Sequence, residues 1–309
     1  MPSSPILHHY DLSPHSEKAR LAFGLKSVAW RSVETPIWPP RPDLMPLTAG
    51  FRRAPVLQIG ADIYCDTQAI LDEIDRRYPS PSLYPEGQRG LISALSFWAD
   101  TTMFMQAATL TTSIIGDGIP QEFIRDRIAF MNHDFSKAAS IKALPLNRQR
   151  VQAQINIIAD MLKDGRPFLL GSQVSAADLH AYHPLWFTAK NGGADARALL
   201  NFGALTKWMD RIAALGHGSR TNIPADAAHA EARASTPEPV AGVDANDPSG
   251  LKAGQSVRIV TDEAGDPIAG ILVGANPREI VIRSQNERVG TIHVHFPRFG
   301  YSAIAEKIS

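Results

Sequence analysis
A chain of 309 residues is too long for one ordinary core and points to about two or three domains. Hydrophobic residues make up 44%, and 31 Lys+Arg against 31 Asp+Glu give formal net charge +0, so no bulk charge recruits DNA, RNA or an anionic membrane. No apolar run approaches the ~20 residues of a spanning helix, no basic-then-apolar leader opens the chain, and the one cysteine, Cys65, excludes an intrachain disulfide framework. The expectation is a cytoplasmic protein with no nucleic-acid or membrane partner.

Ile6 to Tyr10 reads as a short strand and Ser16 to Lys26 as a helix with Ala19, Leu21, Ala22 and Leu25 available for burial. Val28 to Val33 is a second strand. The stretch TPIWPPRPDLMP, Thr35 to Pro46, is too rich in proline for a regular helix, because each proline removes a donor and restricts its predecessor. Strand Val56 to Ile59, a turn at Gly60, strand Ile63 to Tyr64 and a helix from Thr67 to Tyr78 follow, with Asp66 as its cap. Residues 1–85 therefore sum to β-α-β-(loop)-β-β-α.

From 89 to 216 the pattern is helical, with segments predicted over Leu91 to Ile115, Pro120 to Ala139, Asn147 to Asp164, Ser175 to Lys190 and Phe202 to Leu215. Ser175 and Asp178 have capping-box spacing, with Asp in place of the usual Glu. Residues 217–250, rich in Ala, Pro, Asp and Ser, read as a linker. Residues 251–309 return to a period of two, with strands Val257 to Thr261, Ile268 to Val273, Glu279 to Arg283 and Thr291 to Phe296. Turn chemistry at Gly265-Asp266-Pro267 and Asn276-Pro277 separates them. The expectation there is a small antiparallel β barrel or sandwich, and the whole chain is an α+β multi-domain protein.

Four stretches carry a family resemblance in the right order: SPHSEKARLAF, RAPVL, CDTQAIL and FLLGSQVSAADLHAY. Together they resemble the cytosolic glutathione transferase family over about Ile6 to Leu215. The first is similar to the omega- and zeta-like members, with Ser13 where they carry a catalytic Cys or Ser. The resemblance implies a thioredoxin-like first domain of βαβαββα type with its second helix broken or replaced by the Pro-rich loop, an all-helical second domain, and usually a homodimer. It implies glutathione as co-substrate and a small-molecule electrophile as its target.

The chemistry such a site needs can be stated from the residues. A cysteine-type thiol has a pKa of about 8.5, so only a few per cent is thiolate at neutral pH. A hydroxyl donating to the sulfur and a helix N-terminus both favour the anion. Ser13, just before Pro14, is placed for both. Its plain reading is an N-cap. Tyr10, at the strand end, is the rival hydroxyl, and otherwise a half-buried aromatic; His15 and Ser16 are a third possibility, and otherwise solvent-facing first-turn residues. By resemblance, Pro55 is the family's cis-proline and Ala54 offers its backbone to the cysteinyl unit. Asp66 pairs with the γ-glutamyl ammonium and Thr67 with its carboxylate, a departure from the family's usual Glu-Ser. Arg52 and Arg53 are candidates for the glycyl carboxylate, against a plain solvated pair before a strand. Trp98, Thr101, Thr102, Met103 and Met105, on the first helix of the helical domain, are candidates for the wall of an acceptor pocket beside Ser13, against an ordinary core stripe. Phe51 resembles the aromatic key that some classes insert into a partner subunit, against an ordinary core aromatic, and Cys65 reads as a small buried hydrophobe. His293 and His295 share a strand face but lack a complete ligand set, so no metal is expected. Three functions remain open on this reading. One is a thiol-activating transferase, the second a non-catalytic binding or dimerisation module, and the third a glutathione-dependent lyase, dehalogenase or isomerase.

Overall fold
Pleated, buried segments and one amphipathic helix build the first part of the chain in the expected order. The computed structural model, which describes residues 4–261 and 267–306, places β1 at Ile6–His9, α1 at Pro14–Leu25, β2 at Ala29–Glu34, β3 at Val56–Ile59, β4 at Asp62–Cys65 and α2 at Thr67–Arg77. No helix forms between β2 and β3, as the prolines there require. Arg41 organises that loop: its buried guanidinium donates to the carbonyls of Pro36, Ile37 and Arg52. β1 lies parallel to β2 and antiparallel to β3, which is antiparallel to β4.

The chain divides into two compact units. One comprises Met1–Ala19, Val28–Glu73 and Ser219–Ser309, the other Arg20–Ser27 and Ile74–Gly218. In the first unit a further strand and helix stand where the sequence reads as linker, β5 at Ser219–Asn222 and α9 at Ala225–Ala234. β5 is polar and exposed along its whole length, so it carries no alternation to find. It is a strand because it pairs in parallel with the edge of β2, Ala29 opposite Ser219. α9 buries Ala228, His229 and Ala232, a narrow face of two alanines and one imidazole, and is tied down by the Arg31 to Glu231 ion pair and by Gln58 Nε2 donating to the Ala228 carbonyl at 2.8 Å.

The C-terminal strands are β6 Ser256–Thr261, β7 Ile268–Ala275, β8 Glu279–Asn286, β9 Gly290–Pro297 and β10 Tyr301–Ala305. β10, with Tyr301 and Ala303 buried and Ser302 exposed between them, extends the set that the sequence reading stopped at Phe296. Of the predicted turn after the first of these strands, Gly265 and Asp266 lie outside the described residues. The strands continue the first sheet: β9 pairs in parallel with β4, Tyr64 opposite His295. Among the described residues a ten-stranded order results, β10-β6-β7-β8-β9-β4-β3-β1-β2-β5. Separate domain boundaries at 217 and 251 thus do not describe the pairing. β4 would be an open edge, and β9 satisfies its backbone groups. One core runs through Leu44, Phe51, Ile63 and Cys65 into Val257, Leu272, Ile282, Val294 and Phe296.

In the second unit, α3 is Arg89–Trp98, a π-helical turn covers Ala99–Met103 and α4 is Phe104–Ile115. α5, Gln121–Met131, stops there because Asn132 turns left-handed, at φ 50°, and caps it. Ser136 then caps α6, Lys137–Leu162, by accepting the Ala139 N–H at 3.3 Å. The helix expected from Pro120 therefore does not run on to Ala139, and α6 begins ahead of the expected Asn147 and carries Pro145 inside it. α7, Ala176–Leu199, is interrupted by Gly193 at φ 52° and ψ −127°, and α8 is Thr206–Ala213. Gly24 belongs with this unit, and its lack of a Cβ is required: an added Cβ would lie 2.0 Å from the Gly216 carbonyl oxygen.

The predicted capping box is present and enlarged. Asp178, with no exposed surface, accepts from the Ser175 N–H at 2.9 Å, the Ser175 hydroxyl at 3.0 Å, the Leu169 N–H at 2.9 Å and the Trp208 indole N–H at 2.9 Å. Burial raises its pKa, and these four donors hold it back. The carboxylate is a structural hub joining the start of α7, the turn before it and α8. No helix of the described residues is long and apolar enough to cross a membrane.

Candidate active site
Strand register decides which residues can meet. His8 stands opposite Val56, and Val56 opposite Cys65. The loop after β1 (Tyr10 to Ser13), the peptide entering β3 (Ala54-Pro55) and the residues leaving β4 (Asp66-Thr67) are therefore gathered at one end of the sheet. These residues belong to the first unit.

Ser13 is 1% exposed and caps α1. Its N–H donates to the Tyr10 carbonyl at 3.1 Å, and its Oγ accepts the Ser16 N–H at 3.1 Å. That bond uses the hydroxyl as an acceptor, and among the described residues no group accepts its proton. Pro14 opens the helix, where a missing N–H costs nothing. Tyr10 is half-buried, with the Arg41 guanidinium 5.8 Å from its ring centre. Ser16 is not solvent-facing as expected: it has no exposed surface, and its hydroxyl has no hydrogen-bond partner among the described residues. The helix turns it inward, three residues after the cap. His15 is half-buried.

The Ala54-Pro55 peptide is cis. Among the described residues nothing hydrogen-bonds the Ala54 N–H or carbonyl, which leaves this half-buried backbone available to an extended ligand. Asp66 adopts φ 75°, a left-handed conformation that Asp tolerates better than most residues. Its Oδ1 accepts the Gln68 N–H at 2.9 Å and its carbonyl accepts the Ile70 N–H at 3.0 Å, so it caps α2. Its Oδ2 accepts the Tyr301 hydroxyl at 3.0 Å. Thr67, 5% exposed, is the first residue of α2, and its hydroxyl has no partner among the described residues. Arg53 is half-buried with its guanidinium 6.0 Å from the Phe51 ring.

Several neighbours are excluded from chemistry by burial. Cys65 has no exposed surface, and burial, aided by the Asp66 charge, pushes its thiol well above the ordinary range, so it is core and not a thiolate. Phe51 is 4% exposed and packs against Phe296 and Tyr301 of its own chain, with ring centres 5.8 and 6.4 Å away. It fills this core and does not serve as a key into a partner. On the predicted acceptor helix, Met103 is fully buried in the π-helical turn, whereas Trp98, Thr101 and Met105 are half-exposed and Thr102 exposed. His295 is buried with its imidazole nitrogens at 3.1 Å from Asp62 and 3.3 Å from Glu279, and His293 beside it is half-buried.

The residue that sequence reasoning missed is Tyr301. Its β10 pairs with β6, and β7, β8 and β9 lie between β6 and β4 in strand order, so only the coiling of the sheet brings its hydroxyl to Asp66. No local pattern carries such a contact.

Comparison with known proteins agrees with this geometry. Residues 7–82 match the family described as glutathione S-transferase, N-terminal domain, and residues 125–215 that described as glutathione S-transferase, C-terminal domain. A GST-like protein from Pseudomonas syringae is similar at 35% identity over 97% of this chain and 99% of its own, with a TM-score of 0.77. FzlA from C. crescentus shares the fold at 22% identity, over 68% of this chain and 88% of its own, with a TM-score of 0.51. So does the glutathione transferase GSTFuA3 from Phanerochaete chrysosporium, at 18% identity over 70% and 98%, with a TM-score of 0.53. No curated protein sequence matches. The two family domains in order, the cis-proline and capped helices at one end of the sheet, and similarity to the Pseudomonas syringae protein along nearly the whole length place the chain in the glutathione S-transferase superfamily.

Proposed function
We propose that the chain binds glutathione at this end of the sheet and activates its thiol for attack on a small electrophile. The carrying observation is Ser13: a buried hydroxyl at the N-terminus of α1 that accepts from Ser16 and keeps its own proton to donate. A hydrogen bond from it to sulfur, together with the positive end of α1, lowers the thiol pKa toward neutrality. The open Ala54 backbone suits the cysteinyl unit, the Thr67 hydroxyl and the first turn of α2 suit the γ-glutamyl carboxylate, Asp66 suits its ammonium and Arg53 the glycyl carboxylate. The omega- and zeta-like character of the Ser13 segment and the homodimer that the resemblance implies belong to the same proposal, with Phe51 outside any subunit interface.

The test is conjugation of a general electrophile by glutathione, followed against pH. Ser13→Ala should raise the apparent pKa of the bound thiol and lower kcat/KM at neutral pH about 10- to 100-fold, the loss of one preorganised donor. Tyr10→Phe should leave both unchanged. Reversal of the two variants would transfer the role to Tyr10. A second reading, a glutathione transferase fold kept for binding alone, is favoured by the Asp66-Thr67 pair replacing Glu-Ser; glutathione binding without turnover in the wild type would establish it.

A further inference from the structure
The C-terminal strands carry no motif of their own, yet they end at the candidate site. β9 runs parallel to β4 and so finishes at the same end of the sheet as Asp66, and Tyr301 follows after a three-residue turn. The Tyr301 ring is anchored between Phe51 and Phe296 (centres 6.4 and 5.6 Å) and is 5% exposed. Its hydroxyl reaches Asp66 Oδ2 at 3.0 Å, while the Gln68 N–H holds Oδ1 at 2.9 Å. Each carboxylate oxygen has one fixed donor. An ionised carboxylate has about four acceptor positions, so this half-buried group retains room for further donors once its plane has been set. Burial, then the Asp66 charge, push the Tyr301 phenol well above its ordinary range, so it remains a donor at all working pH values.

Resting on the reading of Asp66 as a glutathione contact, we propose that Tyr301 is a positioning residue of the γ-glutamyl subsite, fixing the Asp66 carboxylate so that its free acceptor positions meet the ligand's α-ammonium. Asp66 has a shorter reach than Glu and stands in a left-handed conformation, and a held carboxylate loses less side-chain freedom when the ammonium binds. The C-terminal strands are on this account part of the binding site and select for a ligand with a free amino group.

The experiment compares full-length wild type and Tyr301→Phe by calorimetry, with glutathione and with its desamino analogue, which lacks only the α-ammonium. Tyr301→Phe keeps the ring that packs on Phe51 and Phe296. Expected is a ~3- to 10-fold weaker dissociation constant for glutathione in the variant, the range of one net hydrogen bond, with the analogue unchanged. Asp66→Asn should erase the preference for glutathione over the analogue. Equal weakening of both ligands by Tyr301→Phe, or none, overturns the proposal while the glutathione reading stands. Failure of the wild type to bind glutathione overturns both.

Discussion

At the scale of single residues, burial decides which of the sequence candidates have chemistry available. Ser13 and Ser16 stand three apart on one helix start, yet one is a cap with a proton to give and the other an enclosed hydroxyl. His8 shows the energetic side of enclosure. It is 1% exposed on β1, bonded through Nε2 to Gln58 Oε1 at 2.9 Å, and burial lowers its pKa to about 4, with His229 adding a smaller repulsion. The folded chain thus keeps His8 neutral where the unfolded chain, with an ordinary value near 6.5, takes up a proton. The stabilising contribution is complete above about pH 6.5 and is lost as pH falls toward 4, on the order of 3 kcal/mol in all. Denaturant unfolding of wild type and His8→Gln between pH 7 and 4.5 checks this. The acid-side loss should be shallower in the variant, and parallel curves would count against it.

Among elements, the junction of β4 and β9 is the one on which the rest depends. Backbone pairing there is reinforced by His295, stacked on Tyr64 with ring centres 4.4 Å apart and bonded to Asp62 of β4 and Glu279 of β8. Burial alone would lower the imidazole's pKa, but the two carboxylates outweigh it and raise it. A raised histidine stabilises the fold fully below its ordinary value, and that contribution is lost as pH rises through the folded value. Stability should accordingly decline above neutral pH in the wild type. In His295→Gln it should be lower at pH 6 and flat across the same alkaline range, as read by thermal unfolding in matched buffers.

For the whole molecule, one core shared by Leu44, Phe51 and Ile63 with Val257, Ile282 and Val294 means that residues 219–309 are not an appendage. Their removal would expose that face and leave β2 and β4 as open edges. A chain ending at Gly218 should lose cooperative unfolding of its first unit and bind a hydrophobic dye, whereas a true linker followed by an independent domain would leave it intact. Circular dichroism melts of the truncated and full chains separate the two outcomes.

Much of this protein was legible in its sequence because the signals were local. The proline-rich loop forbade a helix, Asp66 and Ser175 were correctly read as helix starts, and strand Val56–Ile59 was delimited by Pro55 and Gly60. The four stretches from Ser13 to Tyr182 carried the family because each combines a turn, a cap or a buried carboxylate at fixed spacing. What the sequence could not determine has a common cause. β5 is polar throughout and is a strand only because β2 offers it an unsatisfied edge. β9 alternates like any strand of a separate domain, and nothing in that alternation names β4 as its neighbour. Tyr301 reaches Asp66 across 235 positions of sequence because the sheet coils. Sequence alone thus determined the local conformations and the family; edge pairing and coiling, which depend on backbone groups common to every residue and on contacts distant along the chain, were decided by the tertiary structure.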